Sequence, residues 1–266
     1  MSINLKPSSQ VANGRLWGVR AQDWANIQEA TCYPVYLEAF KRLKTNKDSH
    51  YLDLGCGAGQ AALLAQQHGA IVKGLDASEQ LLTIAKHRVP DGQFHIGDLE
   101  TLPFSDNTFD IVTSFNAVQY AANPSLALQE AQRVTKPGGL VLVMTWGEPE
   151  GMQAASLVAA LKPLLPPPPP GAPGPFALSL KSVLKQFASA AQLSVLEIFD
   201  VDCVWHYPDL DTGVRGLGSS GVSVKAAEHS GQDAVDLANA TALGPFKTLD
   251  GSYKIQAKFR CLLSRV

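Results

Sequence analysis

Charge of one sign is nowhere concentrated in this chain. Its 266 residues hold 22 Lys plus Arg against 24 Asp plus Glu, a net charge of −2, and no run of Lys or Arg makes a basic stripe. Phosphate backbones are neutralised by clustered cations, so nucleic acid is excluded as the main partner. Cysteine is scarce as well: Cys32, Cys56, Cys203 and Cys261 are scattered and form no CxxC pair. That spacing excludes a disulfide framework and a zinc site, so no metal is expected and a reducing compartment fits. The start, MSINLKPSSQ, lacks the apolar core of a secretory signal. The longest apolar strand-like run, Leu140 to Met144, is far too short to span a bilayer. No membrane partner is expected, and the cytoplasm is the expected compartment.

What is present is an ordinary globular composition, 45% hydrophobic and 17% charged, sufficient for a sizeable core. The length suits one domain with generous insertions, or a domain with a small lid. Residues 46–146 alternate between strand and helix patterns. His50–Leu54 reads as a strand running into a glycine turn and a helix over 60–68, and Ile71–Leu75 as a second strand. A helix capped by Ser78 follows, then strands at Phe94–Ile96 and Asp110–Phe115. Asn123-Pro124 opens a helix expected to reach Lys136, closed by Pro137-Gly138-Gly139. Leu140–Thr145, apolar on both faces, reads as a central parallel strand. This alternation predicts right-handed βαβ units and an open α/β sheet with helices on both faces. Residues 163–175 (PLLPPPPPGAPGP) read as a stiff polyproline-type surface connector, with an SH3-type ligand as the alternative. Ser179–Leu193 is expected to be a helix capped by Ser179, and Val195–Trp205 and Ser252–Leu263 two final strands. Between them, Gly216, Gly218 and Gly221 read as breaks ahead of helical stretches near Val224–His229 and Asp233–Ala242.

Three motifs carry chemistry. The run Asp53-Leu54-Gly55-Cys56-Gly57-Ala58-Gly59 joins a strand to a helix, and its glycines let a ligand lie against the main chain. The dinucleotide fingerprint places a third glycine three residues after Gly57; here that residue is Gln60, so a nicotinamide-dependent dehydrogenase is disfavoured. Asp76 ends the second strand about twenty residues past the loop, where a carboxylate can accept both hydroxyls of a ribose. Gly97-Asp98 follows the third strand, where an Asp can accept from an adenine amino group. Asp110, at the start of strand four, reads as structural.

Together these residues resemble the class I S-adenosylmethionine-dependent methyltransferases, in the branch of type 11 that includes the quinone-biosynthesis C-methyltransferases. The resemblance covers residues 45–147 through DLGCGAG, GLDAS, GDLETLPFSDNTFD and RVTKPGG in order. It implies a Rossmann-like sheet of order 3-2-1-4-5-7-6 with strand 7 antiparallel, and S-adenosyl-L-methionine as cofactor. It implies that Gly55, Gly57 and Gly59, with Cys56, lie under the methionine part, with Asp53 beneath. Asp76, with Ala77 beside it, holds the ribose, Asp98 and the Leu99 backbone hold the adenine, and Phe115 lies alongside.

The rest of the chain then divides into an N-terminal helical cap, 1–45, and a methyltransferase domain, 46–266, with helical lid insertions at about 147–178 and 208–248. Ligands of open parallel sheets bind outside the carboxyl ends of the strands. Candidate substrate-pocket residues are therefore Trp24 and Gln28 from the cap, Gln119 and Tyr120 after strand four, Trp146 after strand five and Trp205 after strand six. Trp17 and Arg20 share the helical spacing of Trp24 and Gln28, and the Trp pair is read equally as an anchor to the core. His206 is the histidine to test as a base, while His50, His68, His87, His95 and His229 look structural. The expected activity is in-line methyl transfer to a small-molecule acceptor. The alternatives are a non-catalytic cofactor-binding module with its acceptor pocket filled by Trp146 or Trp205, and another reaction of the same cofactor such as cyclopropane formation.

Overall fold

A computed structural model describes residues 9–168 and 174–266. Seven strands form one sheet: β1 (His50–Leu54), β2 (Ile71–Asp76), β3 (Gln93–Ile96), β4 (Phe109–Phe115), β5 (Thr135–Trp146), β6 (Ser194–Tyr207) and β7 (Tyr253–Arg265). Their order is β3-β2-β1-β4-β5-β7-β6. The first five pair in parallel, and β7 runs antiparallel to both β5 and β6. Strand periodicity explains the layering. Along β5, Val141 and Val143 enter the core on one face while Leu142 and Met144 enter the core on the other. The sheet is thus buried on both sides, as parallel sheets are.

The helices are α1 (Ser9–Gly18), α2 (Ala21–Asp23), α3 (Tyr33–Leu43), α4 (Gln60–Gln67), α5 (Glu79–Arg88), α6 (Pro124–Val134), α7 (Ala154–Ala160), α8 (Lys181–Ala190), α9 (Leu210–Gly218), α10 (Gly221–Ser230) and α11 (Gln232–Leu243). Between α2 and α3 the chain winds through a π-helical turn, Trp24–Gln28, and a 3₁₀ turn, Glu29–Cys32. Ser78 caps α5 by accepting from the Leu81 N–H at 3.2 Å, and Asn123 caps α6 with Pro124 in its first turn.

Three local expectations change. The α6 helix stops at Val134, and Thr135 already pairs with Phe109 in the sheet. Pro137 keeps Lys136 out of the helical region, so the chain turns extended before the glycines. Ser179 does not cap α8, which starts at Lys181 with Leu180 before it and no side-chain cap. The Ser179 carbonyl instead accepts from the buried Arg260 guanidinium. Gly213, Gly216 and Gly218 lie inside α9 rather than breaking the chain. A Cβ at Gly216 would stand 2.7 Å from Ile27 Cγ2, so glycine here lets a helix pack against the cap. The polyproline connector falls partly on residues 169–173, outside the described residues.

Residues 9–45 lie against both the sheet domain and the segment 208–248. Asp23 meets Arg215 at 2.6 Å, Arg15 pairs with Glu228, and the Tyr207 hydroxyl donates to Gln28 Oε1 at 2.8 Å. Towards the sheet domain, Glu29 pairs with Arg88 of α5, and Gly14 lies directly on the Ala77 carbonyl. Among the described residues no helix is long and apolar enough to cross a membrane.

Candidate cofactor and substrate site

The end of β1 opens into the loop whose glycines all take left-handed backbone: Gly55 at φ 70°, Gly57 at 55° and Gly59 at 85°. The Gly55 and Cys56 N–H groups both donate to the Leu75 carbonyl, at 2.7 and 3.1 Å. This folds the loop back over β2 and brings Asp76 beneath it. One Asp76 oxygen accepts from the Gly57 N–H and the other from the Ser78 N–H, each at 2.9 Å. A carboxylate offers about four acceptor positions, and the Ala77 N–H takes another, so acceptor capacity for a ligand remains. Burial raises the Asp76 carboxyl above its usual range, against the pull of these backbone donors.

A cavity lies over this loop, at the carboxyl ends of the strands. Trp24, Gly55, Gly57, Asp76, Ala77, Asp98, Leu99, Phe115 and Tyr120, all named from sequence, line it. The Asp98 carboxylate also accepts from the Glu100 N–H at 3.0 Å, which orients it at the end of β3.

Asp53, Cys56 and Gly59 are close by but do not line the cavity. Asp53 is 2% exposed and accepts from the Thr113 hydroxyl at 2.9 Å. Burial pushes its carboxyl up to about 7, the charges of Glu29 and Asp76 add to this, and the Thr113 bond opposes it. Cys56 packs its sulfur toward Gly74, and burial holds its thiol protonated. Gly59 caps α4 and lies against Ala85 of α5.

Four pocket candidates and the proposed base lie elsewhere. Gln28 is buried on Tyr207. Gln119 reaches back to Asn116 Oδ1 at 2.5 Å. Trp146 stacks on Phe259 at 4.8 Å and meets Trp205 at 5.8 Å, so both indoles fill the core rather than the cavity. His206 is exposed, paired in register with Lys254. Residues 203–207 continue β6 instead of leaving it, and alternation turns Cys203, Trp205 and Tyr207 inward and His206 out. The wall facing the cofactor loop is also not the expected one. Ser9, Asn13, Trp17, Trp24, Cys32 and Tyr36 of the N-terminal segment line the cavity, and among the described residues none of 147–178 or 208–248 does so. The insertion 208–248 braces the N-terminal segment from behind.

Glu29 has no counterpart among the sequence candidates. Its side chain is 5% exposed, pairs with Arg88, and takes the Gln60 N–H at 3.4 Å and the Ala58 N–H at the start of α4. Burial raises its carboxyl, with Arg88 acting against it. The helix end that holds a pyrophosphate in dinucleotide-binding proteins is therefore filled by the protein's own anion. Trp24 Nε1 and Glu29 Oε1 each stand 3.5 Å from where a Gly57 side chain would begin. Neither residue's partner was readable locally, because Arg88 lies 59 positions away.

Residues 52–143 match the family described as a methyltransferase domain. The match places a methyltransferase domain within this span. The chain is 33% identical over 134 residues to a ubiquinone biosynthesis O-methyltransferase of Coxiella burnetii, covering 47% of this chain and 57% of that one. It is 40% identical over 98 residues to a demethylmenaquinone methyltransferase of Renibacterium salmoninarum, covering 37% and 41%. The methyltransferase domain thus spans about half the length of these curated relatives or less. Among solved structures it superposes on the 4+2 cyclase SpnF with a TM-score of 0.63 at 20% identity, over 97% of both chains. That likeness concerns the fold.

Proposed function

We propose that this chain is an enzyme that binds S-adenosylmethionine beneath its N-terminal cap and transfers the methyl group to a small-molecule acceptor. Charge is the observation that carries this reading. Two carboxylates, Asp76 and Asp98, line the cavity, and no Lys, Arg or His does so among the described residues. Glu29 adds a third carboxylate at the α4 terminus. Such a site suits a ligand bearing a sulfonium and an ammonium, and repels a pyrophosphate. When bound, the cofactor supplies an electrophilic methyl group: its carbon–sulfur bond breaks with the electron pair passing to sulfur, and a lone pair of the acceptor forms the new bond.

In this reading Asp76 takes the ribose hydroxyls with Ala77 beside them, and Asp98 and the Leu99 backbone take the adenine. Gly55 and Gly57 lie under the methionine part, and Phe115 lies alongside. Asp53, Cys56 and Gly59 act from behind, by holding the loop. The cap, residues 1–45, closes the site, the insertion 208–248 of the domain 46–266 holds the cap, and the insertion 147–178 packs behind 208–248. Alignment then supplies much of the rate. With no basic side chain lining the cavity, the acceptor reacts as a species already nucleophilic, or loses its proton to water. The aromatic lining suits a planar apolar acceptor, as the quinone-related names of the two relatives also suggest. Four free, buried thiols accord with a reducing cytoplasm.

Calorimetry with S-adenosylhomocysteine and with NAD checks the reading: the first is expected to bind and the second not. A metabolite screen with an isotopically labelled methyl donor then finds the acceptor, and product mass separates methyl transfer from cyclopropane formation. Protein that ignores S-adenosylhomocysteine would sink the proposal.

A further inference from the structure

Past the glycine loop the cavity reaches the ends of β4 and β5, where Cys32, Tyr36, Phe115, Asn116 and Met144 line it. None of the nucleoside contacts assigned above uses Tyr36. This residue is 7% exposed, and among the described residues its hydroxyl has no hydrogen-bond partner. The oxygen is nevertheless not sealed in by protein, as Ser114 Oγ and Trp205 Nε1 are. It opens onto the cavity. Other phenols in the interior are used up: Tyr51 bonds Thr113 at 2.6 Å, Tyr207 bonds Gln28 at 2.8 Å, and Tyr120 bonds the Trp146 indole. Buried polar groups without a partner are rare because they are costly, so an unpaired phenol facing empty space marks a place where a ligand completes the bond.

The surroundings hold the phenol in position. Phe115 meets its ring edge-on, with centroids 4.8 Å apart and planes at 84°. Cys32, one helical turn earlier, lines the same end of the cavity. Asn116, directly after Phe115, sits in left-handed backbone at φ 54°, where a non-glycine residue is uncommon. It is held there by its N–H on the Met144 carbonyl at 3.0 Å and by Gln119 on its carboxamide. Burial raises the Tyr36 phenol well above its ordinary range, so it keeps its proton and acts as a donor.

We infer that Tyr36 is the residue that positions the acceptor, by donating a hydrogen bond to an acceptor oxygen, and that the acceptor is a neutral planar compound of the enol or phenol type, which attacks through a lone pair and gives its proton to water. Neutrality follows from the lining: among the described residues no cation is there to receive an anionic acceptor, and the carboxylates of Asp76 and Asp98 repel one. Planarity follows from the aromatic walls, Trp24, Phe115 and Tyr120, that rise around the same space. The inference rests on the reading of this cavity as a methyl-donor site.

The test uses the full chain saturated with S-adenosylhomocysteine, and 1-indanone as an unreactive planar ketone whose oxygen stands in for the acceptor oxygen. Binding is followed by calorimetry and the probe's carbonyl stretch by infrared difference spectroscopy, in the parent chain and in Tyr36→Phe. The parent complex is expected to bind 1-indanone and to lower its carbonyl frequency. Tyr36→Phe is expected to weaken the ketone about tenfold and to return that frequency towards its value in apolar solvent. Its affinity for S-adenosylhomocysteine and its melting temperature are expected to stay at the parent values. Equal carbonyl frequencies in the two proteins overturn the inference. So does a parent complex that ignores 1-indanone, and so does a loss of S-adenosylhomocysteine binding in Tyr36→Phe, which would place the hydroxyl on the cofactor. A parent chain that never binds S-adenosylhomocysteine is a different failure, that of the function proposed above.

Discussion

The two walls of the cavity are built in opposite ways. The floor comes from residues 53–116, where the groups that matter are neighbours in sequence or lie at the ends of adjacent parallel strands: Gly55 and Gly57 past β1, Asp76 on β2, Asp98 past β3. The roof comes from residues 9–36 and has no sheet of its own. It is held by long-range pairs, Glu29 with Arg88 and Gln28 with Tyr207, the latter 179 positions apart. A turn of glycines and carboxylates dictates its own geometry. A cap made of short α, π and 3₁₀ turns takes its geometry from what it packs on.

Breaking the roof at its strongest point should have the largest effect. Glu29→Ala leaves Arg88, 20% exposed, facing a cavity in the interior, and removing one partner of a buried ion pair costs about 3–5 kcal/mol. A clear drop in the melting temperature is expected, together with greater hydrogen-exchange of residues 9–32 than of β1 and β2. Uniform exchange across both walls would mean that the cap is not an independent layer.

Breaking the floor should leave the fold and remove the ligand. Asp76→Ala deletes the acceptor proposed for the ribose and two backbone anchors of the loop. Losing a hydrogen bond to a charged group is worth about 1.5–3 kcal/mol, or about ten- to a hundredfold in affinity. Calorimetry with S-adenosylhomocysteine reads this directly, and near-parental binding would count against the ribose assignment.

Asp53 sharpens the comparison with a smaller, pH-dependent effect. Burial, with Glu29 and Asp76 nearby, raises its carboxyl to about 7 in the fold. The native state therefore holds a proton that the unfolded chain releases, and this site's contribution to stability falls as pH rises from the ordinary carboxylate range through about 7, then levels off. In the proposed binding mode the ammonium of the cofactor stands near Asp53 and favours its ionised form, so binding near neutral pH should expel a proton. Affinity for S-adenosylhomocysteine is then expected to rise several-fold between about pH 6 and about pH 8. Calorimetry in two buffers of unlike ionisation heat counts the proton, and Asp53→Asn should abolish both the count and the slope.

Legibility in the sequence followed the same division. The strand ends at Leu54 and Phe115 and the helix caps Ser78 and Asn123 could be read because short-range backbone chemistry sets them. Asp110 was also read correctly as structural, for it takes the His50 N–H at 2.9 Å and Lys136 at 2.8 Å. His206 and Trp205 misled because the strand runs two residues further than its composition suggested. That extension made the cluster Trp205-His206-Tyr207 an alternating strand with two faces, not a loop mouth. Gly216 and Gly218 misled because a glycine that breaks a helix and one that lets two helices approach look alike until the neighbour is known.

Taken alone, the amino-acid order determined the sheet, its βαβ crossovers and the glycine–carboxylate floor, since periodicity, left-handed glycines and capping act over a few residues. Only the folded molecule decided which face Trp146 and His206 turn to, that Glu29 occupies the α4 terminus, and that Tyr36 and Asn116 come to one end of the same cavity. Those outcomes depend on contacts between segments tens to hundreds of positions apart, which compete for the same buried space and are settled by packing.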